Sequence, residues 1–386
     1  MSEKSSIWHR LYHGETAFNF VGRKRTWFIA SGVVILIGAI SLVAQGLNFG
    51  IDFEGGTAWE VKAPALSVRD ARDAIRPEGL GDAKVQQLGG DTIRVQSDVS
   101  GSADERSAKR EAVSAALAKV AKVDVDTVSV NEVGPSWGGE VTSKAERALV
   151  FFFLAITLYI TLRFEWKMAL AALAAVVHDI AITVGVYSLS GFEVTPATVI
   201  AFLTILGYSL YDTIVVFDKV EENTKGLAAS GRMTYGDTVN LSMNQVLMRS
   251  LNTSLVAILP ILSVLIVGAF ILGATTLEDF GLALLIGLLT GAYSSIFIAA
   301  PILAILKERE PRYASIKQRI LAKGAVTPLT PAAAAAGGVT MGAPVVTGAG
   351  ASRDGDKVAA GTAGRIPPRP GGTRPPPRPR KKGKKR

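Results

Sequence analysis

Six long apolar stretches constrain the fold of this chain more than any other feature. They lie at residues 27–44, 148–162, 168–189, 194–217, 251–272 and 280–306. A helix needs about 20 mostly apolar residues to cross the hydrocarbon core of a bilayer, and the six stretches reach or approach that length. With only 19% charged residues overall, the chain is also too apolar for an ordinary soluble protein. The sequence therefore predicts a polytopic α-helical membrane protein with six transmembrane helices.

Lys and Arg residues in the short connections predict how the six helices are oriented. Basic side chains precede the first stretch and occur after the second, fourth and sixth, whereas the connections after the third and fifth have none. Short loops rich in Lys and Arg stay in the cytoplasm. We therefore expect both termini in the cytoplasm, with 1–26 as a cytoplasmic N-terminus and 27–47 as the first transmembrane segment.

The connection 48–143 is long and charged enough to form a folded extracytoplasmic domain. Four strand-like runs and two runs with helical spacing follow one another there, at 57–63, 67–75, 84–88, 92–96, 102–119 and 127–133. This β-α-β-β-α-β order, with a turn at Gly89-Gly90-Asp91, is that of a ferredoxin-like α+β domain. The remaining five transmembrane helices, with one cytoplasmic loop between the fourth and fifth, are predicted within 144–306.

The last part of the chain, 307–386, is predicted to be a basic, largely disordered cytoplasmic tail. Residues 324–386 carry twelve Lys or Arg and two Asp, so the tail accounts for the net charge of +9. Its Ala-, Gly- and Pro-rich composition cannot build a core. Attraction to anionic lipid and contact with the ribosome or a protein partner stay open as its role.

Ionisable side chains inside the apolar stretches are the candidate functional residues. Each costs about 2.5–3.5 kcal/mol to insert, so it persists mainly where it is paired, hydrated or used. The fourth stretch contains Asp212, the third contains His178 and Asp179, and Arg249 stands just before the fifth. For His178 and Asp179, which point about 100° apart on a helix, a structural hydrogen bond and a relay role both stay open.

Hydroxyl groups cluster around Asp212 in the sequence. Tyr208 and Ser209 precede it by four and three residues and share its helical face, and Thr213 follows it. Hydroxyls both donate and accept hydrogen bonds, which suits a path for protons or hydrated ions. The alternative is a static pair between helices that only fixes packing.

Glycines mark two other regions. The run Gly50-Ile51-Asp52-Phe53-Glu54-Gly55-Gly56 follows the first stretch, and we predict that Gly50, Asp52, Gly55 and Gly56 form a structural turn. In the sixth stretch, the spacing of Gly281, Gly287 and Gly291 predicts close helix packing.

Common catalytic motifs are missing from the sequence. The chain has no cysteine, only three scattered histidines, no phosphate-binding loop and no hydrolytic set. We therefore expect no enzyme activity, no metal and no cofactor, and an ion gradient or a partner as the source of energy. Moving one charge across the bilayer is worth about 2.3 kcal/mol per 100 mV.

The motifs, taken in order, resemble the SecF family of the bacterial Sec protein-export machinery. The matching runs span residues 18–306 and are Gly50 to Gly56, Val133-Gly134-Pro135, Arg163-Phe164-Glu165-Trp166, His178-Asp179, Gly207-Tyr208-Ser209, Asp212-Thr213, and Arg249 with Thr253-Ser254. Each run is short, but the ordered set is specific. The family also has six spans with one large outer loop after the first.

The resemblance implies a multi-pass protein of the bacterial plasma (inner) membrane, within the resistance-nodulation-division superfamily. It implies partnership with SecD and the SecYEG translocon, and use of the proton-motive force to assist an exported unfolded polypeptide. Asp212 and Arg249 would act in proton passage. A small-molecule or lipid exporter of the same superfamily stays open and predicts a roomy apolar pocket and a second large outer loop. A non-conducting structural subunit of the translocon stays open as well.

Overall fold

Six helices long and apolar enough to cross a membrane form the body of the protein. The computed structural model describes residues 7–88, 91–99, 101–226, 233–272, 274–322 and 330–332. In that part of the chain the first four are α2 Lys24–Gln45, α6 Pro135–Arg163, α7 Trp166–Ser190 and α8 Pro196–Gly226. The fifth is α9 Tyr235–Ser263, which continues as a π-helical segment, Val264–Ile271. The sixth is α10 Thr275–Ser294, which continues through a π-helical turn, Ser295–Ala299, into α11 Ala300–Glu308. The prediction of a polytopic membrane protein is confirmed.

Several helices extend beyond the apolar stretches that predict them. Helix α6 begins at Pro135, so residues 135–143 belong to this helix rather than to the preceding domain. Helix α9 begins at Tyr235, where the side chains of Thr234 and Asp237 form a reciprocal capping box. Both helices start with polar turns, which an apolar stretch cannot mark.

A small antiparallel sheet with two helices lies between α2 and α6 in the chain. Its elements are β2 Gly56–Lys62, α4 Val68–Ile75, β3 Lys84–Leu88, β4 Thr92–Ser97, α5 Ala103–Ala121 and β5 Ser129–Val133. The strands are ordered β3-β4-β2-β5, and every neighbouring pair is antiparallel. The predicted β-α-β-β-α-β order is confirmed, while Gly89 and Gly90 of the predicted turn lie outside the described residues.

Large apolar side chains between the sheet and its helices hold this small domain together. Trp59, Ile75, Ile93 and Leu117 are fully buried. The Trp59 indole also donates to the carbonyl of Arg110 on α5 at 3.3 Å. Burial of each such side chain stabilises the fold by about 1.5–3 kcal/mol, so α4 and α5 are fixed against the sheet.

A two-stranded parallel pair joins the end of α2 to the connection between α7 and α8. It consists of β1, Asn48–Phe49, and β6, Glu193–Val194. A short helix, α3 Ile51–Glu54, follows β1 and ends at Gly55 and Gly56, whose φ angles are +81° and +114°. These angles favour glycine, as a tight exit into β2 requires.

The predicted start of the disordered tail, at residue 307, is too early. Lys307 and Glu308 end α11, and residues Pro311–Ala322 form a further helix, α12. Its Tyr313 is buried against Tyr235 with ring centroids 4.8 Å apart, and Ile320 is buried on the same helix. The prediction is therefore wrong for 307–322, because two apolar side chains seven residues apart anchor this basic helix. A short N-terminal helix, α1 Ile7–Tyr12, precedes α2.

Two glycines allow α2 and α7 to pack closely. A Cβ atom on Gly38 would lie 2.7 Å from the Gly185 Cα, and one on Gly185 would lie 2.9 Å from the Gly38 Cα. Both distances are too short for any real Cβ contact. Small residues allow transmembrane helices this backbone approach.

We expect Gly185→Ala to lower the free energy of unfolding by about 1–3 kcal/mol, because the added methyl group must push the backbone of α2 away. Denaturant unfolding of the purified protein in detergent micelles measures this change. Gly32→Ala, on α2, is the matched control, since nothing lies within 4 Å of a Cβ atom there. Equal effects of the two substitutions would contradict the packing argument.

Candidate functional site

Asp179, on α7, lies within a buried hydrogen-bond network. Its side chain is 1% exposed. One oxygen, Oδ2, accepts hydrogen bonds from Ser209 Oγ on α8 at 2.5 Å and from Ser294 Oγ on α10 at 2.8 Å. The other, Oδ1, lies 3.0 Å from His178 Nδ1. This single carboxyl group therefore joins three transmembrane helices.

His178 also contacts a neighbour of its own. Its ring stacks on Tyr293 of α10 with centroids 5.9 Å apart and planes at 27°. The Tyr293 hydroxyl in turn lies 3.0 Å from Ser31 Oγ, which connects α2 to the network. His178 Nε2 is buried and has no hydrogen-bond partner within the described chain. As expected from their spacing, His178 and Asp179 have different neighbours, but they also bond to each other.

Asp212, on α8, lies in a neighbouring polar pocket. It is 8% exposed, and its Oδ1 accepts a hydrogen bond from Ser250 Oγ of α9 at 2.7 Å. Its Oδ2 is buried with no partner at hydrogen-bond distance among the described residues. A cavity of about 10 Å³ adjoins the carboxyl group. That volume gives room for about one water molecule.

Ser209 lies between the two carboxyl groups. Its hydroxyl donates to Asp179, and the same side chain lines the cavity beside Asp212. Thr213 Oγ1 donates to the Ser209 carbonyl at 3.1 Å and lies 3.0 Å from Ser295 Oγ, in the π-helical turn that continues α10. Hydroxyls on α8 and α10 thus fill the space around and between the two acids.

A π-helical turn follows α10 at the network, and three glycines let neighbouring side chains approach α10 closely. The turn Ser295–Ala299 begins at the network, and π-helical turns occur frequently at functional sites. A Cβ atom on Gly291 would lie 2.9 Å from Ser209 Cβ, and one on Gly281 would lie 2.8 Å from Leu265 Cδ2. Gly287 is similarly close to Ile205. The predicted close packing through these three glycines is confirmed.

Arg249 does not pair with Asp212 in this structure. Its Nη2 donates to the Tyr211 hydroxyl at 3.4 Å, and among the described residues no ion pair within 4.0 Å joins it to an acid. Ser250, the next residue on α9, bonds to Asp212 instead. Arg249 therefore lies near the site without a direct bond to the carboxyl group.

The hydroxyl patch predicted around Asp212 is divided between several partners. Tyr208 OH donates to the Thr253 carbonyl of α9 at 3.4 Å, Ser209 Oγ donates to Asp179, and Thr213 Oγ1 donates to the Ser209 carbonyl. Three serines that complete the site were not predicted: Ser250, Ser294 and Ser295. A serine in an apolar helix is common, and only the adjacent pair 294–295 gave a weak signal.

The predicted turn residues lie away from these acids. Gly50 precedes α3 and packs against Glu193, where a Cβ atom would collide with that side chain. Asp52 lines a separate cavity that also contains Arg94. Burial raises the pKa of the Asp52 carboxyl, and Arg94 partly opposes this rise. The structure therefore does not bring this motif together with Asp212.

The fold and the site together define a polytopic membrane protein that holds two carboxyl groups between its helices. Such groups are rare within membranes and mark functional sites by default. Residues 112–309 match the family model "Protein export membrane protein SecD/SecF, C-terminal", and residues 40–62 match the "SecD/SecF GG Motif". The chain belongs to the SecD/SecF family of protein-export membrane proteins.

Relatives and solved structures agree with this family. The chain is 42% identical to the protein translocase subunit SecF of Streptomyces coelicolor, over 84% of this chain and 86% of that protein. It is also 42% identical to the SecF of Mycobacterium tuberculosis, over 82% and 73%. The crystal structure of SecDF from Thermus thermophilus superposes with a TM-score of 0.67 at 36% identity. This superposition covers 77% of the chain but 39% of that SecDF chain.

Proposed function

We propose that the chain is the SecF subunit of a bacterial Sec protein-export machinery. With SecD, it uses the proton-motive force to assist unfolded polypeptides through SecYEG. The observation that carries this proposal is the presence of two buried carboxyl groups, Asp179 and Asp212, inside the helix bundle, with Ser209 bonded to the first and lining the cavity beside the second. Similarity to proteins named SecF over most of the chain supports it.

We infer that the small domain is ferredoxin-like and lies outside the cytoplasm. The β-α-β-β-α-β order, with the last strand beside the first at one edge, supports the fold. The distribution of Lys and Arg in the short connections supports cytoplasmic termini in a bacterial inner membrane. The exported polypeptide would meet the machinery on the outer side, where this domain lies.

SecD supplies the other half of the proposed transporter. The chain spans 39% of the SecDF chain with which it superposes, and its six candidate spans correspond to one of two repeats. In resistance-nodulation-division transporters two such halves surround one pathway. The basic tail contributes attraction to anionic lipid, at about 1 kcal/mol for each Lys or Arg near the surface.

The mechanism we infer is a switch in the partner of Asp212. In the state described above, Ser250 binds this carboxyl group and Arg249 binds Tyr211. Neighbouring positions on a helix differ by about 100°, so a rotation of α9 within that range exchanges Ser250 for Arg249. The charged carboxylate favours Arg249 and the protonated form favours Ser250. Proton binding from one side and release to the other would then move α8 and α9 relative to each other.

We expect Arg249→Gln to reduce gradient-dependent export about tenfold, because the neutral side chain cannot stabilise the charged carboxylate. Export of a secretory precursor into vesicles measures this effect, with the gradient intact and collapsed. Arg163→Gln is the matched control, since Arg163 forms an ion pair with Asp218 at 2.8 Å outside the network. Loss of export in both variants, or in neither, would exclude the specific role of Arg249.

The proposed function itself is tested in vesicles that contain SecYEG and SecD, with or without this chain. We expect a gradient-dependent gain in precursor export only when the chain is present. Collapse of the gradient should remove the gain without releasing the chain from the complex. Equal export with and without the chain, at equal SecYEG content, would overturn the proposal.

A small-molecule or lipid exporter is the second candidate, and one observation favours it. An apolar cavity of about 730 Å³ lies against α6, α7 and α8 and is lined mostly by aliphatic and aromatic side chains. The connection between Ile271 and Thr275, which end and begin consecutive helices, is too short to be the second large outer loop that such an exporter needs. Transport of an apolar dye without SecYEG would favour this candidate over protein export.

A further inference from the structure

A buried ion pair connects the small domain to the connection between α7 and α8. Arg94, on β4, bonds through Nη1 to Glu193 Oε2 on β6, and the side chains of the two residues are 8% and 3% exposed. Gln96, also on β4, donates to Glu193 Oε1 at 2.7 Å. Both carboxylate oxygens of Glu193 are therefore held by one strand of the small domain.

The guanidinium of Arg94 is fixed to the sheet by a second acid. Its Nε and Nη2 both lie 2.7 Å from Glu60 Oε1 on β2. Burial alone would lower the pKa of Arg94, but the nearby carboxylates of Glu193 and Glu60 raise it overall, so the side chain stays charged. Hydrogen bonds between charged groups are strong and directional, which makes Arg94 a rigid link.

Glu193 is in turn tied to the first turn of α8. The Thr198 hydroxyl donates to the Glu193 carbonyl at 3.4 Å. The backbone N–H of Thr198 donates to Thr195 Oγ1 at 3.3 Å, which caps the helix. Because α8 is continuous from Pro196 to Gly226, this cap belongs to the same helix as Ser209 and Asp212.

The ion pair borders a cavity of about 490 Å³ between the small domain and the starts of α8 and α10. Among the described residues that line it, Arg94 is the one basic side chain, against several acids: Asp52, Glu60, Glu132, Glu193 and Asp279. Asp279 lies in the second turn of α10, the helix that carries Ser294. Helices α8 and α10, which hold the proposed relay, therefore both begin at this charged junction.

We propose that the Arg94–Glu193 ion pair is the positioning link that transmits movement of α8 to the small domain. The inference rests on the proposed proton-driven function. Separating a buried ion pair leaves uncompensated charge, so β4 and the start of α8 move together. Arg94 and Glu193 transmit the movement that protonation of Asp212 causes, and they take no part in proton transfer themselves.

The distance between two labels tests this link directly. Because the chain has no cysteine, spin labels attach only at introduced sites, Lys119→Cys on α5 and Leu189→Cys at the end of α7. Asp212→Asn imitates the protonated carboxyl group. In the membrane complex, with cysteine-free partners, we expect it to shift the label distance by about 1–2 Å, the scale of helix shifts. Arg94→Gln should remove that shift.

Two further variants make the result specific. Glu193→Gln keeps the size of the side chain and should also remove the shift, while Arg76→Gln, an exposed site in the same domain, should preserve it. A shift that survives both Arg94→Gln and Glu193→Gln would overturn the inference. So would the absence of any shift in the chain that retains the ion pair.

Export measured on the same complexes separates this inference from the proposed function. If both hold, the Arg94→Gln variant retains proton flux, but its gradient-dependent export falls about tenfold. This factor corresponds to about 1.4 kcal/mol. A merely structural role would reduce flux and export together and would overturn the inference. A different result is that the wild-type chain gives no gradient-dependent export, while Asp212→Asn still shifts the label distance and Arg94→Gln still removes that shift. In that case the proposed function fails and the link stands.

Discussion

Replacing Asp212 by Asn is expected to remove the gradient-dependent part of protein export, leaving the level seen in vesicles without the chain. Asn has nearly the same size and its side-chain oxygen still accepts the hydrogen bond from Ser250. It cannot bind and release a proton, so the gradient can no longer drive the exchange between Ser250 and Arg249. One proton moved across 100 mV supplies about 2.3 kcal/mol, so the loss should be at least about tenfold.

A matched substitution on the same helix separates this effect from general damage to α8. Asp218→Asn changes an exposed acid that pairs with Arg163 at the end of the bundle. We expect this variant to export as the wild type does. Assembly with SecD and SecYEG should be the same for both variants. A wild-type response of Asp212→Asn at equal assembly would remove Asp212 from the mechanism.

Replacing Asp179 by Asn is expected to have a comparable effect on export and an additional effect on stability. Asp179 Oδ2 accepts two hydrogen bonds, from Ser209 and Ser294. The single oxygen of an amide can face either the two serines or His178 Nδ1 but not both, so one of these contacts is lost, and an unsatisfied buried group costs about 1–3 kcal/mol. Export in vesicles and denaturant unfolding in micelles measure the two effects separately.

Ser294→Ala provides the control for Asp179. This substitution removes one donor to the carboxyl group but leaves its proton exchangeable. If Asp179 takes part in proton passage, Ser294→Ala should destabilise the protein while retaining most gradient-dependent export. If both variants lose stability and export in the same proportion, the Asp179 network serves packing alone.

A static role for Asp212 does not fit its surroundings well. Buried polar atoms in stable structures nearly always have hydrogen-bond partners. Asp212 Oδ2 is buried without one among the described residues, and a cavity the size of a water molecule lies beside it. A carboxyl group that only fixed two helices together would be expected to use both oxygens. These features favour a group whose protonation and partners change.

The helices and the acids were predictable because a membrane imposes strong rules. A helix in lipid needs a long apolar stretch, and a charged residue within such a stretch is conspicuous. Asp179 and Asp212 could therefore be identified from the sequence. The order of elements in the small domain was predictable because apolar and polar residues alternate along its strands, whereas apolar residues recur at helical spacing in its helices.

The partners of these acids were not predictable. A serine hydroxyl costs little in an apolar helix, so Ser250 does not stand out from other serines of the sequence, and Ser294 is marked only weakly by the adjacent Ser295. Arg249 was expected near Asp212, but the rotation of α9 presents Ser250 there instead, and rotation depends on packing between helices. Arg94 and Glu193 are far apart in the sequence, within polar segments where charged residues are ordinary.

Proton flux measured during export tests the central claim most directly. Vesicles with SecYEG, SecD and this chain would hold an acidic interior and enclose a pH indicator, and the loss of interior acidity would be followed as a precursor is added from outside. We predict flux that requires the chain, rises with the precursor and disappears with Asp212→Asn. Flux equal to that of vesicles without the chain, or unchanged flux in Asp212→Asn, would contradict a proton relay through the helix bundle.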